Sequence, residues 1–547
     1  MWACVTSIGL KGMDGYRLHV EVSTRVGPDS FKIVGLPDTA VKEAKERIIA
    51  ALATLGYNVS GQKIIINLSP SDQKKMGSLF DLAMAIAVLK ALHELDARVE
   101  ETTGFLGALS LDGSVQPVEG LLPAILAAQK AGMKRLYLPY DENLPPLDIT
   151  GLNLVYVQSL QDVIGHLTGE SVPSVFVKKN PNRDDETSLR VQLEHPDFQQ
   201  IVGHSNAKYA LEVAAAGGHH VLITGPPGCG KSLLAWSFPT ILAPLSQQAR
   251  LEVLSLHQLS HTTYVTSTMP PFRNPHHSAS GVSIIGGGQY PKPGEISLAH
   301  HGVLFLDEIG EFSKKTLDML RQPLENGLIT ISRTHATITY PATFILLAAM
   351  NPCPCGYYGS RSHYCTCSPR QIQAYQNKLS GPLRDRFDIH LSLESVDWQE
   401  SKLQDEGNIE PSAKIRKRVE QARERQYFRY GREICNSRVS YDELMKTTHL
   451  TASQQNTLKQ LLIQKGLSTR SQIKIIRLSR TISDLQGGPL TDKCLEQAIQ
   501  FGAWHPSWTN ALICPRGADT LVFIGTGSHR DRWVASNLQA YISLHEQ

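Results

Sequence analysis

Residues 221–232 read VLITGPPGCGKS, and the fold follows from how that stretch is punctuated. An apolar run from Val221 to Ile223 enters a glycine-rich turn and leaves it through Lys231 and Ser232 into LLAWSF, the start of a helix. Strand, G-x-x-x-x-G-K-[ST] loop and helix in that order make a P-loop, and a P-loop implies an α/β domain with a buried parallel sheet. Gly225, Gly228 and Gly230 let the backbone curl so that its N–H groups face phosphate, with Pro226, Pro227 and Cys229 completing the turn. Lys231 places charge at the β and γ phosphates, and Ser232 supplies a hydroxyl for Mg²⁺.

Downstream, GVLFLDEIG (302–310) is a second buried strand, ending in Asp307 and Glu308. Asp307 suits Mg²⁺ and Glu308 suits polarising a water for attack on the γ phosphate. Asp307 to Gly310 also spells D-x-x-G, but no N-K-x-D follows to read guanine, so ATP is the expected nucleotide. A third strand, FILLAAMN (344–351), ends in Asn351. If it neighbours the Asp307 strand, Asn351 stands beside the phosphates; otherwise it is a turn residue.

The chain has 547 residues, enough for two to four domains. With 41% hydrophobic and 19% charged residues it reads as globular, and a net charge of +3 is too mild to imply a nucleic-acid partner alone. No apolar stretch reaches the roughly 20 residues that span a bilayer, and the N-terminus does not resemble a secretory signal. No membrane association and a cytoplasmic location are therefore expected. Residues 1–170 alternate strands and helices, 171–195 read as a polar linker, and 196–395 hold the P-loop core. Residues 396–500 read as a helical lid, and 501–547 as a tail of unassigned structure.

Four of the nine cysteines crowd into NPCPCGYYGSRSHYCTC. Cys353, Cys355, Cys365 and Cys367 can close a tetrahedral thiolate site for Zn²⁺, with His363 as a substitute ligand and reduced free thiols as the alternative. Tyr357, Tyr358, Arg361 and Tyr364 would then project from the loop, a pattern suited to stacking and phosphate contact. LITISRTHATITY (328–340) alternates as a β-hairpin turning near Thr334 and His335, which makes Arg333 and His335 candidates for a nucleic-acid backbone. A third basic element, PSAKIRKRVEQARERQYFRYGR (411–432), carries eight Lys or Arg against two Glu and reads as a phosphate-binding or merely solvated helix.

The sequence closely resembles the ComM/YifB family of magnesium-chelatase-like AAA+ ATPases from residue 1 to about 500. The motifs that carry the resemblance include NLSPSDQKKMGSLFDLAMAIAVL, NPHHSASGVSIIGGG, PGEISLAHHGVLFLDEI, RQPLENGLITISR, AAMNPCPCG and GPLRDRFDIH. Resemblance implies a homo-hexameric ring with ATP at subunit interfaces, Asn351 orienting the attacking water, Arg386 as the arginine finger with Arg384 as its rival, and Arg470 as the sensor arginine of the lid. It also implies a DNA motor acting on single-stranded or branched DNA, with recombination proteins as partners and branch migration in natural transformation as the task. A chelatase-type ATPase driving a separate catalytic subunit is the alternative. The N-terminal domain resembles the Lon protease domain, a ribosomal S5 domain 2-like fold. Leu122 stands where such proteases carry their lysine, so Ser78 lacks a base and proteolysis is the least favoured reading.

Overall fold

The structure is a computed structural model that describes residues 1–142, 144, 147, 149–170, 195–260, 262, 268–333, 336–360, 363–394, 410–465 and 468–502. His335 and Arg361 lie outside the described residues, as do most of the expected linker and the tail beyond residue 502.

The N-terminal part is a seven-stranded mixed sheet packed against helices. Its strands are β1 (Trp2–Lys11), β2 (Asp14–Val26), β3 (Ser30–Val34), β4 (Gln62–Ser69), β5 (Thr103–Phe105), β6 (Arg135–Pro139) and β7 (Asn153–Val157), in the order β3-β4-β2-β1-β5-β6-β7. β1, β2 and β4 pair antiparallel, while β3 pairs β4 in parallel and β5, β6 and β7 continue from β1 in parallel. The helix Thr39–Thr54 shows how local sequence sets an element. Asp38 caps it by accepting from the Val41 N–H, and Val41, Ala44, Ile48, Ala51 and Leu52 recur at helical spacing to form its buried face.

The second sheet holds five parallel strands. In chain order they are β8 (Val221–Thr224), β9 (Phe272–Arg273), β10 (Val303–Leu306), β13 (Ile345–Met350) and β14 (Ile389–Ser392), arranged β9-β10-β13-β8-β14. Between β10 and β13 the chain makes the expected hairpin, β11 (Leu328–Arg333) with β12 (Ala336–Pro341), in the register Arg333↔Ala336 and Ile331↔Ile338. Ile329 and Ile331 are buried and Thr330 and Ser332 exposed, which is the period of a half-buried strand. The hairpin base is shared with the N-terminal part, since Met13, beside the β1–β2 turn, packs on the cluster containing Ile329, Ile331 and Tyr340.

Helices Ser412–Tyr430, Tyr441–Thr447, Ala452–Lys465, Thr469–Gln486 and Asp492–Gly502 complete the structure. Ile415, Val419, Ile475, Ile482 and Leu495 join the same apolar cluster as Val221, Ile223 and Leu347, so lid and sheet share one core. No helix among the described residues is long and apolar enough to cross a membrane.

Candidate functional site: a nucleotide site at the ends of three parallel strands

The strand order puts the three motifs side by side. β13 lies between β10 and β8, so Asp307, Asn351 and the P-loop emerge from adjacent carboxyl ends, where open parallel sheets place their ligands. Each strand is anchored by burial: Val221, Leu222 and Ile223, Val303 to Leu306, and Ile345 to Met350 are all buried. The Gly225 N–H donates to the Met350 carbonyl at 3.3 Å, tying the P-loop to the Asn351 strand. A side chain at Gly225 would meet the Cys229 sulfur at 2.7 Å and the Leu393 carbonyl at 2.8 Å, so only glycine fits there.

Lys231 Nζ donates to the carbonyls of Gly225 and Pro226, both at 2.8 Å, and to Asn351 Oδ1 at 3.0 Å. Burial pulls its ammonium below the ordinary lysine value, while Cys229, Asp307 and Glu308 pull it back up. A desolvated cation held by neutral oxygens gains from phosphate charge in the same loop. Ser232 Oγ donates to Asp307 Oδ2 at 2.9 Å, and this hydroxyl–carboxylate pair is the donor set that suits Mg²⁺. Glu308 is exposed and adopts a left-handed backbone with φ +48°, its N–H donating to Asp307 Oδ1 at 2.9 Å. Such a conformation costs a non-glycine residue about 1–2 kcal/mol and turns Glu308 out of line with the Asp307 strand.

The arginines gather elsewhere. Arg386 Nη2 pairs with Glu325 Oε2 at 2.9 Å and Arg470 Nη2 with Glu325 Oε1 at 3.1 Å, so one carboxylate holds both. Neither guanidinium bonds to the P-loop of its own chain among the described residues. Arg386 is 13% exposed, yet its Nε and Nη1 are buried with no hydrogen-bond partner. A guanidinium in that state is short of acceptor oxygens. Its rival Arg384 is committed, with Nη2 donating to the carbonyls of Gln376 at 2.9 Å and Leu379 at 3.3 Å.

The four cysteines converge. Their sulfurs all lie within 4.8 Å of one another, with Cys353–Cys355, Cys355–Cys365 and Cys353–Cys365 separations of 3.3, 3.5 and 3.7 Å. Zinc–sulfur bonds of about 2.3 Å in a tetrahedron need sulfurs about 3.8 Å apart, so the set fits the ion. His363 is not needed as a ligand, and its ring stacks on Tyr357 at 4.7 Å. The loop rests on the P-loop: a side chain at Gly356 would meet Pro227 Cγ at 2.6 Å. Tyr358 does not project as expected. It is half-buried, its N–H donates to Cys353 Sγ at 3.3 Å, and Tyr364 is the exposed aromatic at 88%.

The basic helix 412–430 also departs from expectation, because its arginines bond to partners inside the fold. Arg423 donates to the Ala215 carbonyl at 2.7 Å, Arg416 to the Thr240 carbonyl at 2.9 Å and Arg425 to the Asp484 carbonyl at 2.6 Å. Arg418 pairs with Glu212 at 2.6 Å, and Arg429 pairs with Asp484. Arg423 thereby satisfies the carboxyl end of the helix Ser205–Gly217 that precedes β8. The charge that looked like a phosphate surface joins lid to core.

Comparison with known proteins now adds to this geometry. Models of magnesium chelatase subunit ChlI match residues 20–142 and 197–401, and a model of its C-terminal region matches 409–502. "Competence protein ComM" of Haemophilus influenzae is 40% identical over 492 residues, covering 89% of this chain and 94% of its own. The chain belongs to the ComM/YifB family of magnesium-chelatase-like AAA+ ATPases. Another ComM/YifB relative, "Uncharacterized protein YifB" of Escherichia coli, is 38% identical over 496 residues, 90% of this chain and 95% of its own. "Lon protease 2" of Bacillus subtilis is 28% identical over 170 residues, 28% of this chain and 30% of its own. ComM/YifB membership brings ATP and Mg²⁺ as nucleotide and ion, and AAA+ proteins are usually oligomeric.

The protease residues are placed without a base. Leu122 is fully buried, its N–H donating to Gln258 Oε1 at 3.1 Å. Lys75 turns its ammonium onto the carbonyls of Pro70 and Gln73, and Lys74 lies over the Tyr290 ring. Ser78 lines a cavity of about 640 Å³ but hydrogen-bonds to neither lysine among the described residues.

Proposed function

We propose that the protein is an ATP-driven, homo-hexameric DNA motor that moves branched DNA during recombination of incoming DNA. In this reading residues 1–170 are an accessory domain, 171–195 a linker, 196–395 the motor and 396–500 its lid. The observation that carries the proposal is the pair of contacts Lys231–Asn351 and Ser232–Asp307 at adjacent strand ends, in a chain with 40% identity to a protein named for competence.

Lys231 and the P-loop N–H groups hold the β and γ phosphates, and Ser232 and Asp307 would hold Mg²⁺, which would supply charge neutralisation there. Glu308 takes a proton from the attacking water, and Asn351, fixed by Lys231, orients that water. Arg386 reaches the γ phosphate of a neighbouring subunit as the arginine finger, and Arg470, held beside it by Glu325, is the sensor arginine of the lid. Each turnover then moves the hairpin β11–β12, and Arg333 passes the motion to a DNA backbone.

The deciding experiment measures ATPase rate with and without single-stranded, duplex and four-way-junction DNA, alongside conversion of a labelled junction. Stimulation by DNA and ATP-dependent junction conversion are expected. Arg333→Ala should keep basal ATPase near wild type and lose most of the DNA stimulation. The matching chelatase models favour a second reading, an ATPase that drives a separate catalytic subunit. An active ring with neither DNA stimulation nor junction conversion would select that reading.

We further propose zinc as the ion of the four-cysteine loop. Purified protein should carry about one zinc per chain, lost in a Cys353→Ser, Cys365→Ser double variant. Metal analysis of protein prepared without chelators checks this, and a wild-type content near zero would refute it.

A further inference from the structure

Beside the hairpin lies a cavity of about 480 Å³ that no part of the nucleotide chemistry uses. Its walls come from three places far apart in sequence: the 280–286 segment, the helix Lys314–Met319, and the exposed face of β11. Two cations line it, Lys315 and Arg333, together with the hydroxyl residues Ser280, Ser313, Thr316, Thr330 and Ser332, and among the described residues no Asp or Glu does. Both cations are exposed; among the described residues neither makes an ion pair, and the only hydrogen bond from the Arg333 guanidinium is a long one of 3.4 Å to the Ser332 carbonyl.

Two of the hydroxyls are placed to donate. Ser280 Oγ already accepts from the Ser283 N–H at 3.1 Å, and Ser332 Oγ accepts from the Thr337 hydroxyl at 3.2 Å. Each still has its own hydrogen to donate to a ligand. Hydroxyl donors beside two unpaired cations, with no carboxylate to compete, select an anion whose oxygens point several ways. The volume exceeds what one phosphate group fills, and Val282, 52% exposed on the wall, offers an apolar contact to a sugar.

We propose that this cavity is a cradle for a sugar–phosphate segment of single-stranded DNA, with Lys315 as a contact residue opposite Arg333. The proposal rests on the DNA-motor reading and deepens it. It places the grip on DNA between the hairpin and the helix that follows Glu308, rather than on the hairpin alone. Because these groups address phosphate and not base edges, the grip is sequence-independent and screened by salt.

The test is fluorescence anisotropy of full-length protein on a labelled mixed-sequence single strand, between 50 and 200 mM salt, with a non-hydrolysable ATP analogue. Lys315→Ala is expected to weaken binding about 3- to 10-fold and to lower the slope of log K against log salt by about 0.7, one phosphate contact's worth. Ser280→Ala should lose about 2-fold with the slope unchanged. Lys314→Ala is the control, since its neighbouring ammonium has the same charge but does not line the cavity. It should leave affinity and slope as in wild type. Equal effects of Lys314→Ala and Lys315→Ala would mean general attraction rather than a cradle, and would overturn the proposal. So would unchanged DNA affinity in Lys315→Ala, including the case where that variant instead loses oligomer by size-exclusion chromatography, which would mark the cavity as a subunit contact. Wild-type protein that binds no DNA at any salt would fail the motor reading itself, a distinct result that takes the cradle with it.

Discussion

Lys231→Ala is expected to lower ATP affinity by at least about 100-fold, roughly 2.7 kcal/mol, while Glu308→Gln binds ATP normally and turns it over about 10² to 10⁴ times more slowly. The two differ because the residues meet different parts of the reaction. Lys231 is a buried ammonium whose hydrogen-bond partners are two carbonyls and the Asn351 side chain, so phosphate oxygens would be its first charged hydrogen-bond partners. Glu308 is exposed, bonds to no phosphate-loop group, and keeps its backbone geometry and Asp307 contact as glutamine. Calorimetric ATP binding beside steady-state turnover separates the two effects. Equal loss of affinity in both variants would remove the assignment of Glu308 as base.

Arg386→Ala is expected to cut ATPase activity about 10³- to 10⁵-fold without weakening ATP binding to the variant's own P-loop. Activity of rings mixed with wild type should therefore fall more steeply than dilution. The cause is Glu325. It holds Arg386 and Arg470 together at one carboxylate, and among the described residues neither arginine bonds to the P-loop. Among the described residues Arg386 Nε and Nη1 are also buried without a hydrogen-bond partner, so meeting a neighbour's phosphate requires the side chain to move. Lysine at 386 should rescue little, since a point charge cannot reproduce the planar fork. Arg384→Ala should instead lower stability, because its guanidinium is bonded to the Gln376 and Leu379 carbonyls. Titrating variant into wild type at fixed total protein checks the first expectation. A strictly proportional decline would place the finger elsewhere.

The nucleotide motifs were legible in the chain because each is local. A strand of Val221, Leu222 and Ile223 running into Gly-Lys-Ser specifies its own turn and helix, and Val303 to Leu306 before Asp307 and Glu308 specifies a buried strand with an acidic end. The hairpin was legible for the same reason, since alternation over 328–340 sets both its faces. The four-cysteine cluster was half legible: residue type and spacing suggested a metal, but the approach of the sulfurs is set by how the loop folds back onto Pro227.

What only the tertiary structure decided concerns where charges end up. The helix Ser412–Tyr430 carries the densest run of cations, and sequence alone made it a candidate for phosphate. In the fold its arginines complete the carbonyls of the helix Ser205–Gly217 and pair with Glu212 and Asp484, partners some 55 to 208 residues away in the chain. Lys315, by contrast, drew no notice in sequence, one lysine beside another, yet it lines the same cavity as Arg333, which no Asp or Glu among the described residues lines. The physical reason is the same in both cases. A cation's role depends on which carboxylates and carbonyls lie within a few ångströms, and a strong desolvated pairing removes it from the surface. Spacing along the chain fixes the face of a helix on which a residue sits, but the packing of distant elements determines what that face meets.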